Sequence, residues 1–357
     1  MTEPKREHTT STILFDPREL LQWGPHLGAH KVAIRVLFSV LVPLLVLFAV
    51  DRLDLAGYAL LAALASVYGR NATTRDRLIV QSWFGVVQVG LIVAGAALAA
   101  TGAPGWLFVA ITALVAGLGA VLADSRSWKP GGSVFFVFGF GVSASLPADG
   151  ATGVALAALL AVSALIFTLL VTVISGAIKN SQRRAGRPVA EYPPRTIPRP
   201  NWTIIATHAT MCLVGAGVAG GIAVSLGWPH PYWAMVSAVV PVVGATTAGQ
   251  LVRASHRLTG TLLGLIVAVL LFGWTPQGLV LVILLVVLQA GTELVVARNY
   301  SAALLFLTPL TIGMGLLNGP VPVLPLIVDR GLETVVGVAV AVVLILATHG
   351  VRHPRVR

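Results

Sequence analysis

Charged residues are scarce in this sequence. Asp, Glu, Lys and Arg together make up 10% of its 357 residues, against about 25% in soluble domains. Acidic residues number 13. There is one cysteine, Cys212, inside an apolar run. It can form no disulfide within the chain, and its neighbours make no metal-ligand spacing. No Gly-rich loop ends in Gly-Lys-Ser/Thr, so ATP is not expected to drive this chain directly. His-Glu-x-x-His, paired Cys and Gly-x-Ser-x-Gly are also missing. The expectation is therefore no enzyme, no catalytic residue, no metal and no cofactor. The polar start, Met1 to Thr12, does not read as a secretory signal, because no short apolar region and small-residue cleavage site follow it.

What the chain has is apolar length. Hydrophobic residues reach 56% and the mean hydropathy is +0.89. At about 20 residues per membrane crossing, the length allows about twelve crossings. The fold class expected is an all-α polytopic membrane protein in the inner, cytoplasmic membrane. The candidate spans are 30–50, 54–69, 78–100, 105–123, 130–146 and 152–178, then 202–226, 231–248, 257–273, 277–297, 300–317 and 323–349. Three of them, 54–69, 130–146 and 231–248, are short for an untilted span.

The net charge of +11 does not imply nucleic acid, because Lys and Arg lie in short loops between apolar runs. With the N-terminus inside, 21 of the 24 Lys and Arg fall on the inner side; the other three are Arg35, Arg52 and Arg330. That asymmetry is the positive-inside signature, and it places both termini in the cytoplasm. The organisation expected is a cytoplasmic segment 1–29, a six-helix repeat 30–178, a linker 179–201, a second repeat 202–349 and a basic tail 350–357. Within the first segment, Ile13 to Leu27 reads as a short helix on the membrane surface or as a tail covering the bundle. The linker is basic and proline-rich (Pro188, Pro193, Pro194, Pro198, Pro200). It reads as an extended connector that can meet anionic lipid heads.

The chain is organised around Trp228 to Gly264. An apolar segment opens on Pro231-Tyr232-Trp233, is interrupted at Pro241 and Gly244, and dissolves into a Gly/Ala/Thr run. A basic turn, Arg253 to Arg257, is expected before the next span. Interrupted segments are tolerated at membrane depth where freed backbone groups are buried in protein or line a wet cavity. Corresponding breaks in two halves are the best sequence pointer to a transporter's binding site. Tyr58, ahead of the segment ending at Arg70, corresponds to Tyr232 at an offset of 174. Arg126-Ser-Trp128 corresponds to Arg298-Asn-Tyr300 at an offset of 172. A nearly constant offset indicates a tandem repeat of two parallel six-helix units. Inside the second unit, Arg257-x-x-Gly-Thr-x-x-Gly264 echoes Arg330-x-x-Glu-Thr-x-x-Gly337, which hints at an inverted three-plus-three arrangement.

These elements resemble the fusaric-acid-resistance-like (FUSC) family of integral membrane transporters, in the aromatic acid exporter superfamily. The matching residues are Pro231-Tyr-Trp-Ala234, Arg257 with Gly260-Thr261 and Gly264, Arg298-Asn-Tyr300, Thr308-Pro-Leu310, and Asp329-Arg330 with Glu333-Thr334 and Gly337. The likeness is strong over 202–349 and weaker over 30–178, where Leu-Ile-Val-Gln follows Arg77. The large cytoplasmic domain of many members has no place here. The resemblance implies export or passive passage of small organic, often aromatic, anions.

Ionisable residues at membrane depth are functional candidates by default. Proton-coupling candidates are His208, Glu293, Asp329 and Glu333. Their structural readings are a buried neutral His bonded to a backbone carbonyl, an ion pair of Glu293 with another helix, and a compensated charge cluster at the outer end of the last span. Substrate-binding candidates are Tyr232, Trp233, Thr246, Thr247, Arg257, Asn299, Tyr300, Thr308 and Arg330. For the aromatics the alternative is an interfacial belt, for Arg257 a topology anchor, and for the threonines ordinary helix packing. Arg35 either snorkels to the inner surface or attracts an anion. The partners expected are membrane lipids and a small organic anion, with no nucleic acid; a homo-oligomer is left open. Three functions stand side by side: proton-coupled efflux, a passive anion channel, and a non-transporting membrane scaffold.

Overall fold

The computed structural model describes residues 22–26, 28–189, 192–244, 246–319 and 321–352. Among them there are twelve α-helices and no strand. They are α1 (Ala29–Ala49), α2 (Ala56–Ala63), α3 (Thr74–Ala100), α4 (Gly105–Ser125), α5 (Val134–Ser143) and α6 (Gly150–Arg184). The second set is α7 (Trp202–Ser225), α8 (Pro231–Val239), α9 (Thr247–Phe272), α10 (Gly278–Val295), α11 (Tyr300–Gly315) and α12 (Val323–Arg352). Nine of the described helical segments are long and apolar enough to cross a membrane. The remaining three helices, α2, α5 and α8, fall in the segments expected to be short. α8 has 9 residues, about 14 Å at 1.5 Å per residue and under half of a ~30 Å hydrocarbon core.

Local chemistry sets these boundaries. Thr73, Asn201, Thr246 and Asn299 cap α3, α7, α9 and α11, each accepting a backbone N–H from the first turn. Such caps satisfy donors that a helix start leaves open. Pro231 stands at the first position of α8, where its fixed φ and missing N–H carry no penalty. The cap at Thr246 corrects two sequence expectations. The span expected at 231–248 is helical only to Val239, and Arg253 to Arg257 lie inside α9 rather than in a turn. Pro309 lies inside α11, which continues to Gly315. The linker begins later than expected, because α6 runs to Arg184. Residues 22–26 are not helical; 13–21 and 27, with the end of the tail, 353–357, lie outside the described residues.

The pairwise packing has a regular form. α1 lies on α10, and α4 lies on α7; these are the main contacts between the first six helices and the last six. Among the first six, α3 packs on α5 and α6, α2 on α6, and α1 on α2 and α6. Among the last six, α9 packs on α11 and α12, α8 on α12, and α7 on α8 and α12. Lipid tails are as apolar as Leu, so membrane helices gain little by hiding Leu from lipid and pack instead through small residues. The buried faces are accordingly rich in Ala and Gly, while Leu118, Leu270, Leu324 and Val343 point outward. A Cβ on Gly260 would meet the Ser301 carbonyl of α11 at 2.6 Å, and one on Gly264 the Leu304 carbonyl at 2.5 Å. Gly337 presses in the same way on the Ala234 carbonyl of α8.

Both interrupted segments are buried. From Tyr232 to Val242 the chain is enclosed by protein, and α8 touches α4, α5, α7 and α12. The carbonyls freed beyond α8 are met by Gln250, whose amide donates to Val242 O at 2.7 Å and to Gly244 O at 3.3 Å. In the first half, Gln81 donates to Tyr68 O at 3.2 Å and Arg77 Nε to Gly69 O at 3.0 Å.

Candidate functional site

The Arg-x-x-Gly/Glu-Thr-x-x-Gly spacing puts its four positions on one helix face, since i, i+3, i+4 and i+7 align on an α-helix. On α9 that face carries Arg257, Gly260, Thr261 and Gly264; on α12 it carries Arg330, Glu333, Thr334 and Gly337. The glycines bring α9 against α11 and α12 against α8, and the charged residues are enclosed as a result. Arg257 is 1% exposed, and Arg330 and Glu333 are 0% exposed.

The two arginines are held differently. Arg257 donates from Nη2 to Ser237 Oγ at 3.1 Å and from Nη1 to the Tyr300 hydroxyl at 3.3 Å. Arg330 lies over the Trp233 ring, with 5.0 Å from its guanidinium carbon to the ring centroid. None of its three side-chain nitrogens meets a hydrogen-bond partner among the described residues. The same holds for the hydroxyls of Thr261, Thr308 and Thr334, while the Glu333 carboxylate faces the backbone N–H groups of His230 and Ala234 at the start of α8. Glu333, Arg257 and Tyr232 all lie within electrostatic range of Arg330. Arg330 thus faces the Glu333 carboxylate, with Asp329 beyond it and Arg257 on its other side, in a region closed to solvent among Tyr232, Trp233 and Tyr300. Buried donors without acceptors are costly, and a guanidinium fork matches a carboxylate in two parallel hydrogen bonds. The free donors of Arg330 are of the kind that an oxoanion fills. At the outer edge, His230 stacks on Trp233 at 4.5 Å and faces Asp329 at 3.6 Å. Burial holds the His230 imidazole below its usual pKa range, and Asp329 only partly opposes that.

Of the candidates read from the sequence, Tyr232, Trp233, Arg257, Tyr300, Arg330 and Glu333 come together, with Asp329 at the rim and Thr308 buried against Gly264. They lie within the last six helices rather than between the two sets; the first set reaches this group where Gly141 of α5 touches Tyr232. The others serve elsewhere. Thr246 and Asn299 are helix caps, and Thr247 Oγ1 bonds His349 Nδ1 at 2.9 Å. His208 is paired with a carboxylate rather than a backbone carbonyl: its Nδ1 meets Asp124 Oδ2 of α4 at 2.5 Å. Glu293 accepts from Arg70 at 2.5 Å and from Gln289 at 3.3 Å. Sequence reasoning missed Ser237, Asp124 and Gln250 as partners, and saw Arg70 only as an inner-loop charge. Asp124, an acid just before the basic loop at Arg126, is the one of these that could have been singled out.

Comparison with known proteins agrees with the motifs. The family model for fusaric acid resistance protein-like sequences matches residues 218–344, about a third of the chain, from the middle of α7 into α12. The chain is 34% identical over 86 residues to the uncharacterized membrane protein YvaC of Bacillus subtilis (strain 168). That alignment covers 24% of this chain and 14% of that protein, so only a small part of the relative's length is spanned. No solved structure matches.

Proposed function

We propose that this multi-pass membrane protein is a transporter that exports small organic anions, aromatic acids among them, from the cytoplasm in exchange for protons. The observation that carries this is the buried Arg330, with unfilled donors beside the Trp233 ring and within reach of Arg257 and Glu333. Guanidinium forks bind the carboxylate, and aromatic rings accept a flat apolar body. Glu333 is the proton carrier in this reading, because its carboxyl group is buried beside Arg330 and is met by no side-chain hydrogen-bond donor among the described residues. Glu293 and His208 are already engaged with Arg70 and Asp124, so their part is to hold helices together. Asp329 and His230 form the outer edge through which the anion leaves.

The same reading includes two parallel six-helix repeats, 30–178 and 202–349, in the inner membrane, with both termini on the cytoplasmic side. Two features support it: the packings of α3 on α5 and α6, α2 on α6, and α1 on α2 and α6 have counterparts among α7 to α12, and the partners exchange at α1–α10 and α4–α7. The test is efflux of benzoate from proteoliposomes containing the purified chain, with internal pH followed in parallel. Anion flux that moves no protons would leave a passive channel. Full efflux by both Arg330→Met and Glu333→Gln would leave the cluster as a structural device in a scaffold.

A further inference from the structure

The first six helices hold a second unpaired guanidinium, far along the chain from the cluster around Arg330. Arg35 lies on α1 near the inner end. If it simply snorkelled, its head group would be in water. Instead its Nε and Nη2 are buried and meet no hydrogen-bond partner among the described residues.

The charges around it do not balance. Arg70, Arg77, Tyr192 and Glu293 all lie within electrostatic range of Arg35. Glu293 is taken by Arg70 at 2.5 Å and by Gln289. Arg77 spends its fork on the carbonyls of Gly69 and Ala72, at 3.0 and 3.1 Å, so it contributes charge but few free donors. Three guanidinium groups therefore share one carboxylate. Asp76, the next acid, accepts from Thr73 Oγ1 and from the Arg195 backbone N–H, and it belongs to the linker contact.

A cavity lies nearby. It has a volume of about 320 Å³ and opens beside Thr73 and Thr74 at the start of α3 and Lys179 and Arg183 at the end of α6, and Tyr192 of the linker lines it. Tyr192 is the residue common to this cavity and to the surroundings of Arg35 and Arg77. Its ring lies 5.4 Å from the Lys179 ammonium.

We propose that the inner end of the first six helices is a second anion site, in which Arg35, backed by Arg70 and Arg77, binds the oxoanion of a small carboxylate or phosphate that enters past Tyr192. The unfilled Arg35 donors are aligned for two parallel bonds to such a group. The site stands apart from the transport reading: a chain that binds an anion here and transports nothing still satisfies it.

Hydrogen exchange read by mass spectrometry on the full chain tests this, because it localises binding. The probes are inorganic phosphate and benzoate, added separately to the detergent-purified protein. Nanodiscs of phosphatidylcholine, with and without phosphatidylglycerol, test the lipid headgroup as the source. At ten times Kd the population open to exchange should fall about elevenfold in peptides covering 28–40 and 68–80. Protection from phosphatidylglycerol alone assigns the site to a lipid phosphate; protection from the soluble probes assigns it to a free anion; either supports the site. Arg35→Met should remove the protection, and Arg35→Lys, which keeps the charge without the fork, should weaken it about tenfold. Peptides covering 228–240 and 326–340 report on the Arg330 cluster independently. No protection at 28–40 and 68–80 with any probe, or unchanged protection in the folded Arg35 variants, overturns the proposal.

Discussion

Arg70 and Glu293 stand 223 positions apart in sequence and meet at 2.5 Å. Arg70 follows the interrupted segment of the first six helices, and Glu293 sits in the last turn of α10. Arg70 also donates to the Glu293 backbone carbonyl at 3.0 Å, so the contact fixes both a side chain and a helix end. Removing one partner of a buried pair leaves the other uncompensated and costs about 3–5 kcal/mol. Glu293→Gln and Arg70→Met should each lower the thermal midpoint in detergent, and the double variant should recover much of the loss. Strictly additive losses in that double-mutant cycle would mean the two side chains do not act as a pair.

Arg330 should show stability and function pulling apart. Replacing a buried, poorly compensated charge by an apolar side chain of similar volume is often stabilising, by about 1–4 kcal/mol. Arg330→Met is therefore expected to raise the unfolding midpoint while cutting benzoate efflux at least tenfold. A variant that is stabilised and still exports at the original rate would remove Arg330 from the substrate path.

His230 gives a pH dependence with a definite sign. Its folded pKa lies below the ordinary imidazole value of about 6.5, chiefly through burial. The unfolded chain then binds the proton more readily, so folding is favoured above about pH 6.5 and loses stability as pH falls. The midpoint of the wild-type protein should drop between pH 7.5 and 5.5. His230→Phe should flatten that slope; a slope of the same size in the variant would assign it to other groups.

Helix spacing gives a fourth prediction. Gly264 lies against the Leu304 carbonyl and the Thr308 side chain. Gly264→Val should separate α9 from α11 and cost about 1–3 kcal/mol as an overpacked site. Gly90, whose Cβ would meet nothing within 4 Å, is the matched control: Gly90→Ala should leave the midpoint in place or raise it. Loss of folded protein on size-exclusion chromatography measures the difference.

Much of the architecture was legible because membrane spans announce themselves through apolar length, and Pro and Gly mark their ends. The six-plus-six order of helices follows from those two signals. The basic residues misled: Arg253 to Arg257 read as a turn because charge is expensive in a span, yet they lie in α9, where Arg257 is buried against the hydroxyls of Ser237 and Tyr300 and Arg253 lies over the Tyr300 ring. The shared spacing of the two motifs singled out Arg257, Arg330 and Glu333, which lie on helix faces of α9 and α12. The partners of Glu293 and His208 were not legible, because pairing between helices depends on which ones the bundle brings together. Thr246 and Asn299 looked like ligands because capping and binding call on the same polar side chains.

One contact carries a consequence for how the protein is made. Residues near the start of the chain dock late in the sequence: Gly24 N–H donates to Arg298 O at 2.8 Å, and Asn299 Nδ2 donates to Gln22 O at 3.1 Å. α1 itself packs on α10. The ribosome needs roughly 14–55 s to cover the 274 residues between Gly24 and Arg298 at 5–20 residues per second. During that interval α1 has left the translocon without its eventual neighbour and must wait in lipid or against a chaperone. A nascent chain stalled ahead of α10 therefore presents an unclosed bundle to the membrane's quality-control proteases.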